Sequence, residues 1–374
     1  MSAVAEKSIS PQLALRACIQ KVATGPEYSK DLSQEETREA MRLVLDGTAD
    51  PVQTAVFLIA LRMKRETDDE NKGILQAIRD TMPTIVAPVD ELVDVADPYD
   101  GYARGLPASP FLAPVLAACG VPAVSHGLQA VGPKFGITHR MVLQAAGADV
   151  DLASDAAVQR IADPNIGWAY IDQKAFCPPL HDLVPLRTRI VKRQVLTTVE
   201  VLTGPVRARK ATHLMTGYVH KAYPPIYAEL ARFAGFDSAL IIRGVEGGII
   251  PSLQQDAKLW FYHDKGEEQF VVSNPATIGI DQPTRAVPLP EDLPPAGVRD
   301  DQIATAIDSG AAARHAAEAG IAALEGKAGP VRDSLIYGAA ICLWHLKRYP
   351  SLADAADAVR EVIDSGEPLA HFRA

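Results

Sequence analysis

Cysteine is scarce in this sequence. Cys18, Cys119, Cys177 and Cys342 lie far apart with no Cys-x-x-Cys pair, which excludes a disulfide framework and a thiolate zinc site and suggests buried thiols in a reducing compartment. Long apolar runs are lacking too. The opening residues 1–7 have no apolar signal core, and no stretch approaches the roughly 20 residues a membrane span needs. The expectation is a cytoplasmic chain with no membrane partner. Positive charge is in deficit, at a formal net −9, so the molecule as a whole repels a polyanion, and nucleic-acid binding would require a local basic patch. There is no Walker loop, His-Glu-x-x-His or Gly-x-Ser-x-Gly, and His213, His220, His263 and His315 show no ligand spacing. Internal repeats and low-complexity tracts are absent as well.

What is present suits a globular protein. At roughly 150 residues per domain, 374 residues suggest two domains, and 48% hydrophobic with 22% charged residues is ample for a sizeable core. Residues up to about 90 read as helices. Ser33-Gln34-Glu35-Glu36 has the capping-box form and Gly47 ends the helix it opens. Asp50-Pro51 supplies a cap and a first-turn proline for a helix over 51–64, with Val52, Ala55, Val56, Ile59 and Leu61 as its apolar face. Thr67-Asp68-Asp69-Glu70 opens a further helix with acids at its positive end.

From Leu92 short apolar runs alternate with helical periods. Strands are expected at 92–96, 123–125, 167–171, 239–244, 259–262 and 270–272, and helices at 111–119 and 138–146. Residues 182–220 read as a basic interruption of mixed periodicity. The proline-rich 274–301 reads as a surface connection, and helices over 302–325, 331–348 and 351–365 close the chain. The fold class expected is α/β: a small N-terminal all-α domain over 1–90, completed by part of 182–220, and a larger α/β domain over 91–374 with a mainly parallel sheet.

Residues 97–136 stand out, because this stretch follows the first strand and repeatedly breaks at glycine and proline, as a ligand loop outside a strand end does. It offers Asp100, Arg104, Ser109, His126 and Lys134, a set suited to an anionic small molecule. The same residues would also serve ordinary strand-to-helix turns.

The scaffold residues resemble one family along nearly the whole chain. Leu32-Ser33-Gln34-Glu35-Glu36, Ala40-Met41, Gly47 and the run from Pro51 to Thr67, together with Gly329-Pro330-Val331-Arg332-Asp333, Tyr337-Gly338-Ala339-Ala340 and Ile363-Asp364-Ser365-Gly366, look like the anthranilate phosphoribosyltransferase family. The resemblance implies a helical domain joined to an α/β domain, a ligand cleft between them, and a homodimer through the helical domains. A phosphorylated small molecule is the implied partner.

The chemistry-bearing motifs depart from that family. Its glycine-rich pyrophosphate loop reads Ala96-Asp97-Pro98-Tyr99-Asp100-Gly101 here, with only the final Asp-Gly kept. Its Lys-His-Gly-Asn-Arg reads Ser125-His126-Gly127-Leu128-Gln129, while Lys134 and Gly136 match a later Lys-Ser-Gly. Its Mg²⁺-binding Asp-Glu pair falls on Ile249-Ile250, which argues against the metal and leaves Glu246 as a weak metal candidate. Arg187 matches the arginine that meets the anthranilate carboxylate. The phosphate- or ligand-binding candidates are therefore Asp100, Gly101, Ser109, His126, Gly127, Lys134 and Arg187. No catalytic residue or certain cofactor is assigned.

These departures are most like the family's divergent, anthranilate-phosphoribosyltransferase-like branch, some of whose members bind nucleic acid. Arg187, Arg189, Lys192, Arg193, Arg207, Arg209, Lys210 and Lys221 form a local basic excess that could follow a single-stranded sugar–phosphate backbone, with Tyr218 and Tyr223 nearby for stacking. Such a cluster also serves as a plain solvated face. Metal-free nucleoside phosphorolysis is a third reading, with Ser109, Lys134 and His126 holding phosphate. A transferase predicts Lys134 and Ser109 facing a pocket; a nucleic-acid binder predicts Arg187, Arg193, Arg207 and Lys210 along one open groove.

Overall fold

The N-terminal helices begin where their caps place them. The computed structural model describes residues 11–297 and 307–374, and its first helices are α1 (Pro11–Val22), α2 (Gln34–Leu45), α3 (Pro51–Lys64) and α4 (Asp68–Asp80). Ser33 Oγ accepts from Glu36 N–H at 3.1 Å while the Glu36 carboxylate accepts from Ser33 N–H at 3.0 Å. Thr67 and Glu70 repeat this reciprocal box at the start of α4, and Asp50 accepts from Val52 and Gln53 N–H ahead of Pro51. Each cap satisfies N–H groups that the first turn leaves without helical partners. Glu70 does more: wholly buried, it also accepts from Leu32 N–H and pairs with Lys64 at 2.8 Å.

The face of α3 differs from the sequence reading. Phe57, Leu58 and Leu61 are buried, whereas Val52 is 71% exposed and Val56 also faces solvent. Helix α3 is apolar on two sides, and periodicity alone does not say which one meets the core.

The α/β part contains β1 (Ile85–Val86), β2 (Glu91–Ala96), β3 (Ala123–Gly127), β4 (Trp168–Asp172), β5 (Val206–Arg207), β6 (Ala211–Gly217), β7 (Ser238–Ile242), β8 (Ala257–Tyr262) and β9 (Gln269–Ser273). β1 and β5 pair by themselves. The other seven form one sheet in the order β4-β3-β2-β6-β7-β8-β9, parallel from β4 to β7 and antiparallel at β8 and β9. β2 to β4 build outwards in one direction and β6 to β9 in the other, so the order reverses between β2 and β6.

The intervening helices are α5 (Leu112–Ala118), α6 (His139–Ala145), α7 (Ser154–Ala162), α8 (Gln173–Phe176), α9 (Pro178–His181), α10 (Val184–Ile190), α11 (Leu196–Val199) and α12 (Tyr223–Phe233). After the sheet come α13 (Ser309–Leu324), α14 (Pro330–His345), α15 (Leu352–Ser365) and α16 (Glu367–Arg373). Side chains of β2 alternate between two apolar cores. Val93 and Val95 pack with residues of α5, α6, α13, α14 and α15, while Leu92 and Ala96 pack with Phe57, Leu61, Ile74, Val124 and Tyr227. The core of the helical domain is therefore continuous with one face of the sheet.

Two readings need correction. The segment 182–220 is not only a basic interruption: its end is β6, a central strand paired with β2 on one side and β7 on the other. Thr212 and His213 break its apolar run: the Thr212 hydroxyl accepts from Ala208 N–H while its backbone N–H donates to Asp237, and His213 bonds Ser238 and Glu91 from elsewhere in the chain. Helix α7 has no counterpart among the expected elements, since only Ala157, Val158 and Ile161 of its nine residues are buried. Helix α13 starts at Ser309 with Asp308 as its cap; the expected residues 302–306 lie outside the described residues, as does the end of the connection over 274–301. Among the described residues no helix is long and apolar enough to cross a membrane.

Gly73 fixes the closest approach of α2 and α4. A Cβ there would lie 2.5 Å from Gln34 O and 2.6 Å from Thr37 Cβ. Alanine favours helix by about 1 kcal/mol over glycine, but this clash is with backbone that cannot swing away. Gly73→Ala is therefore expected to destabilise by about 1–3 kcal/mol, as overpacking does, read as a fall in the thermal melting midpoint.

Candidate functional site

The reversal of strand order places the ends of β2 and β6 side by side, and loops leaving such a point diverge to form a crevice. A cleft of about 410 Å³ lies there. Its walls come from the loop after β2 (Pro98, Tyr99, Asp100, Ala103, Arg104), the end of β6 (Thr216, Gly217, Tyr218), the segment before and within α11 (Arg193, Thr197, Thr198) and α12 (Tyr223, Tyr227), with Lys134 and Glu246 at one side.

The loop after β2 is organised around Asp97, which is buried. Its carboxylate accepts from Tyr102 Oη at 2.8 Å, Ser109 Oγ at 2.6 Å and Ile249 N–H at 3.0 Å, and meets His139 Nε2 at 2.8 Å. Burial pushes this carboxyl up, but the bonds from His139, Ser109 and Tyr102 outweigh it and hold it below the usual carboxylate value. Beyond Asp97 the backbone N–H groups turn inwards. Gly101 N–H donates to Pro98 O, Tyr102 N–H to Ile137 O, and Ala103 and Arg104 N–H to the Glu246 carboxylate at 3.0 and 2.7 Å. Pro98 has no N–H.

Gly101, a ligand candidate, serves chain packing instead. At φ 72° its Cβ would stand 2.5 Å from Ile137 O, so glycine lets segments 101–102 and 136–137 cross. Ser109 is 1% exposed and committed to Asp97. His126 is equally buried, with Nδ1 2.5 Å from Tyr99 Oη and Nε2 2.7 Å from Asp94. It reaches the cleft only through Tyr99. Gly127 ends β3 beside Tyr170, away from the cleft lining. Asp100 and Lys134 do line the cleft, each already paired: Asp100 with Arg193 at 2.6 Å, Lys134 with Glu246 at 2.9 Å.

Arg187 is not at the cleft surface. It is 1% exposed and forms a two-pronged pair with Glu200 at 2.6 and 2.7 Å, so its fork is filled from within. Arg207 also turns inwards, its guanidinium 4.1 Å from the Phe236 ring centroid and donating to Ala234 O; burial lowers its pKa to about 10. Arg189, Lys192, Arg209, Lys210 and Lys221 are exposed. The expected line of Arg187, Arg193, Arg207 and Lys210 along one groove is therefore interrupted at the buried Arg187 and at the half-buried Arg207, which is turned onto Phe236.

Tyr227, Thr197 and Thr198 escape a reading of the sequence. Tyr227 is legible only once α12 is known to start at the cleft, and the threonines carry no motif. Tyr223 Oη is held by Arg62 of α3 at 2.6 Å, so a helical-domain side chain fixes one cleft wall.

A divalent metal does not fit here. Ile249 and Ile250 are buried and offer no oxygen ligand, Asp97 has four partners, and Glu246 is saturated by two N–H groups and Lys134. Among the described residues no group of three or more His, Cys, Asp or Glu could hold a metal ion.

The chain matches two family models, a glycosyl transferase helical bundle domain over residues 16–82 and a glycosyl transferase α/β domain over residues 105–286, which defines the class. An anthranilate phosphoribosyltransferase of Novosphingobium aromaticivorans is 30% identical over 341 residues, covering 91% of this chain and 94% of that protein. An uncharacterized protein of Aquifex aeolicus is 30% identical over 237 residues, 63% and 70% of the respective chains. The anthranilate phosphoribosyltransferase structure from Thermus thermophilus superposes with a TM-score of 0.72 at 23% identity, covering 96% of this chain and 97% of that one. The Saccharomyces cerevisiae enzyme in complex with PRPP and Mg gives 0.73 at 16% identity, covering 96% of both chains. This chain belongs to the anthranilate phosphoribosyltransferase family.

Asp97→Asn is expected to cost about 3–5 kcal/mol, the range for breaking a buried charged network, measured by urea denaturation at pH 7. The folded carboxyl titrates below its unfolded value near 3.9. Its contribution is thus complete above about pH 4 and is lost as pH falls through the lower folded value. The gap between wild type and variant should narrow only in that acid range.

Proposed function

We propose that this protein holds a phosphorylated small molecule in the cleft between β2 and β6 without a divalent metal, and is not an efficient anthranilate phosphoribosyltransferase. The observation that carries this reading is the loop after β2. The N–H groups of 101–104, which a pyrophosphate cradle would aim outwards, are all spent on internal oxygens. With Arg187 closed on Glu200, the arginine expected to meet an anthranilate carboxylate is also engaged.

What remains suits a smaller anion. Arg193 and Lys134 stand in the cleft against Asp100 and Glu246, and the exposed Arg104 stands beside them. A phosphate dianion can compete for the Arg193 fork by paired charged hydrogen bonds, while Tyr99, Tyr218, Tyr223 and Tyr227 offer faces for a sugar or ring. Any group transfer would break the bond from C1 of a ribose 5-phosphate to its leaving group and form one to the incoming nucleophile, with Arg193 and Lys134 meeting the negative charge of the phosphate or of the departing group. The other two readings find less support. Ser109 and His126 are committed inside, which removes two of three donors for phosphorolysis, and the nucleic-acid stripe lacks Arg187 and Arg207.

We infer a domain boundary near residue 90, with α10 and α11 returning to the helical side, since Val195, Leu196 and Val199 share its core. A cytoplasmic homodimer through the helical domains completes the reading. Val52, Val56 and Met63 form an exposed apolar stripe on α3, with Met63 76% exposed. Met63→Glu is expected to convert a dimer to a monomer in light scattering; a monomeric wild type would overturn that interface.

Titration calorimetry with ribose 5-phosphate tests the main proposal. The dissociation constant should be the same in EDTA as in excess Mg²⁺, and Arg193→Ala should weaken it about tenfold, or ~1.4 kcal/mol. Binding that requires Mg²⁺, or rescue of a tryptophan auxotroph lacking its phosphoribosyltransferase at ordinary expression, would refute it.

A further inference from the structure

We propose that a second cavity, at the opposite end of the sheet from the cleft, is a binding site for a small planar organic anion such as an aromatic carboxylate. The cavity, of about 570 Å³, is lined by Phe261 and His263 at the end of β8, Gln269 at the start of β9, Trp344 and His345 at the end of α14, and Lys347 to Pro350 just after it. The parallel strands place it. Glu91 begins β2 and pairs with Arg348, and Ser238 begins β7 and bonds His345. It therefore sits at the amino ends of strands whose carboxyl ends form the cleft, and the inference stands whatever occupies that cleft.

Three features give the cavity its chemistry. Its walls are aromatic: Trp344 meets Phe261 edge-to-face at 5.3 Å, and Tyr349 stands on the same lining. Its charge has one sign. Lys347 and Arg348 line it and no acid does; Arg348 is partnered by Glu91, but Lys347 is exposed and enters no ion pair among the described residues. Its inner wall is neutral. His345 is 2% exposed, with Nε2 2.8 Å from Ser238 Oγ and its ring stacked on His263 at 4.5 Å, yet Nδ1 has no partner. Burial, with His263, His213 and Lys347 nearby, lowers the His345 pKa, so the ring stays neutral.

The backbone adds an independent sign. Lys347 has φ 59°, and Lys347 and Arg348 N–H return to Trp344 O and Leu343 O to close α14. Glycine is the usual residue at such a left-handed closing position, because any side chain there is strained by about 1 kcal/mol. The lysine there puts a cation on the rim of an acid-free, ring-lined cavity. A planar anion would set its carboxylate against Lys347 and its ring against Trp344 and Tyr349.

The test is calorimetric titration of the full chain with 2-naphthoate and with uncharged 2-naphthamide. Lys347→Asn removes the cation while keeping a residue tolerant of the left-handed backbone, and Trp344→Phe shortens the aromatic wall. Arg193→Ala reports on the cleft. The expectation is one naphthoate bound, about tenfold more weakly in Lys347→Asn and for the amide, ~1.4 kcal/mol in each case, and unchanged in Arg193→Ala. No binding, affinity indifferent to Lys347→Asn and Trp344→Phe, or loss in Arg193→Ala would overturn the second site. Matching thermal midpoints across the variants show that each remains folded.

Discussion

A single buried carboxylate, Asp97, holds together the part of this molecule that sets its chemistry. It gathers a tyrosine, a serine, a histidine and the N–H of Ile249 from four separate places along the chain. A charge without solvent is tolerated only when its lone pairs are met by fixed donors, so each of those places is tied to the others. The loop after β2 is thereby drawn against the loop after β7. Glu246, held at φ 54°, does for Ala103, Arg104 and Lys134 what Asp97 does one layer deeper. The strands and helices around this pair follow the family pattern, and the donors between them are turned to acceptors within the protein itself.

Much of the fold is legible in the sequence because its signals are local. Ser33, Asp50 and Thr67 announce helix starts through bonds made within three residues, and the apolar runs at 92–96 and 123–125 lie within strands that form. β6 is obscured because polar residues interrupt its apolar run and two of them are satisfied by partners far away in sequence: Glu91 and Ser238 for His213, and the Ala96 carbonyl for the Thr216 hydroxyl. The exposed side of α3 misleads for a related reason. Apolar content marks a face as fit for burial without saying what buries it.

The site is legible as a place and illegible as a set of contacts. Residues 97–104 after the first strand stand out by position, and the sequence shows a single glycine within 96–101 and two isoleucines at 249–250. Sequence cannot tell that Ser109, His126 and Arg187 look inwards, since each is chemically suited to a ligand and its true partner is another side chain 12 to 32 positions away: Asp97, Asp94 and Glu200. Charge counting over 187–221 fails similarly, because an arginine can pack over an aromatic ring and be half-buried, as Arg207 is over Phe236.

The shared core beneath the sheet has a mechanical consequence. Leu92, Ala96 and Val124 of the strands lie in one apolar cluster with Phe57, Leu61 and Ile74 of the helical bundle. Swinging the bundle away as a rigid lid would bring that seam into water at about 25 cal/mol for every Å² exposed. Breathing of the cleft is therefore left to its rim, the long side chains of Arg193, Arg104 and Lys134. Such a vessel keeps its width from empty to full. Any molecule entering it would be sorted by size and shape, and exchanged at the pace of side-chain rotation rather than that of a hinge.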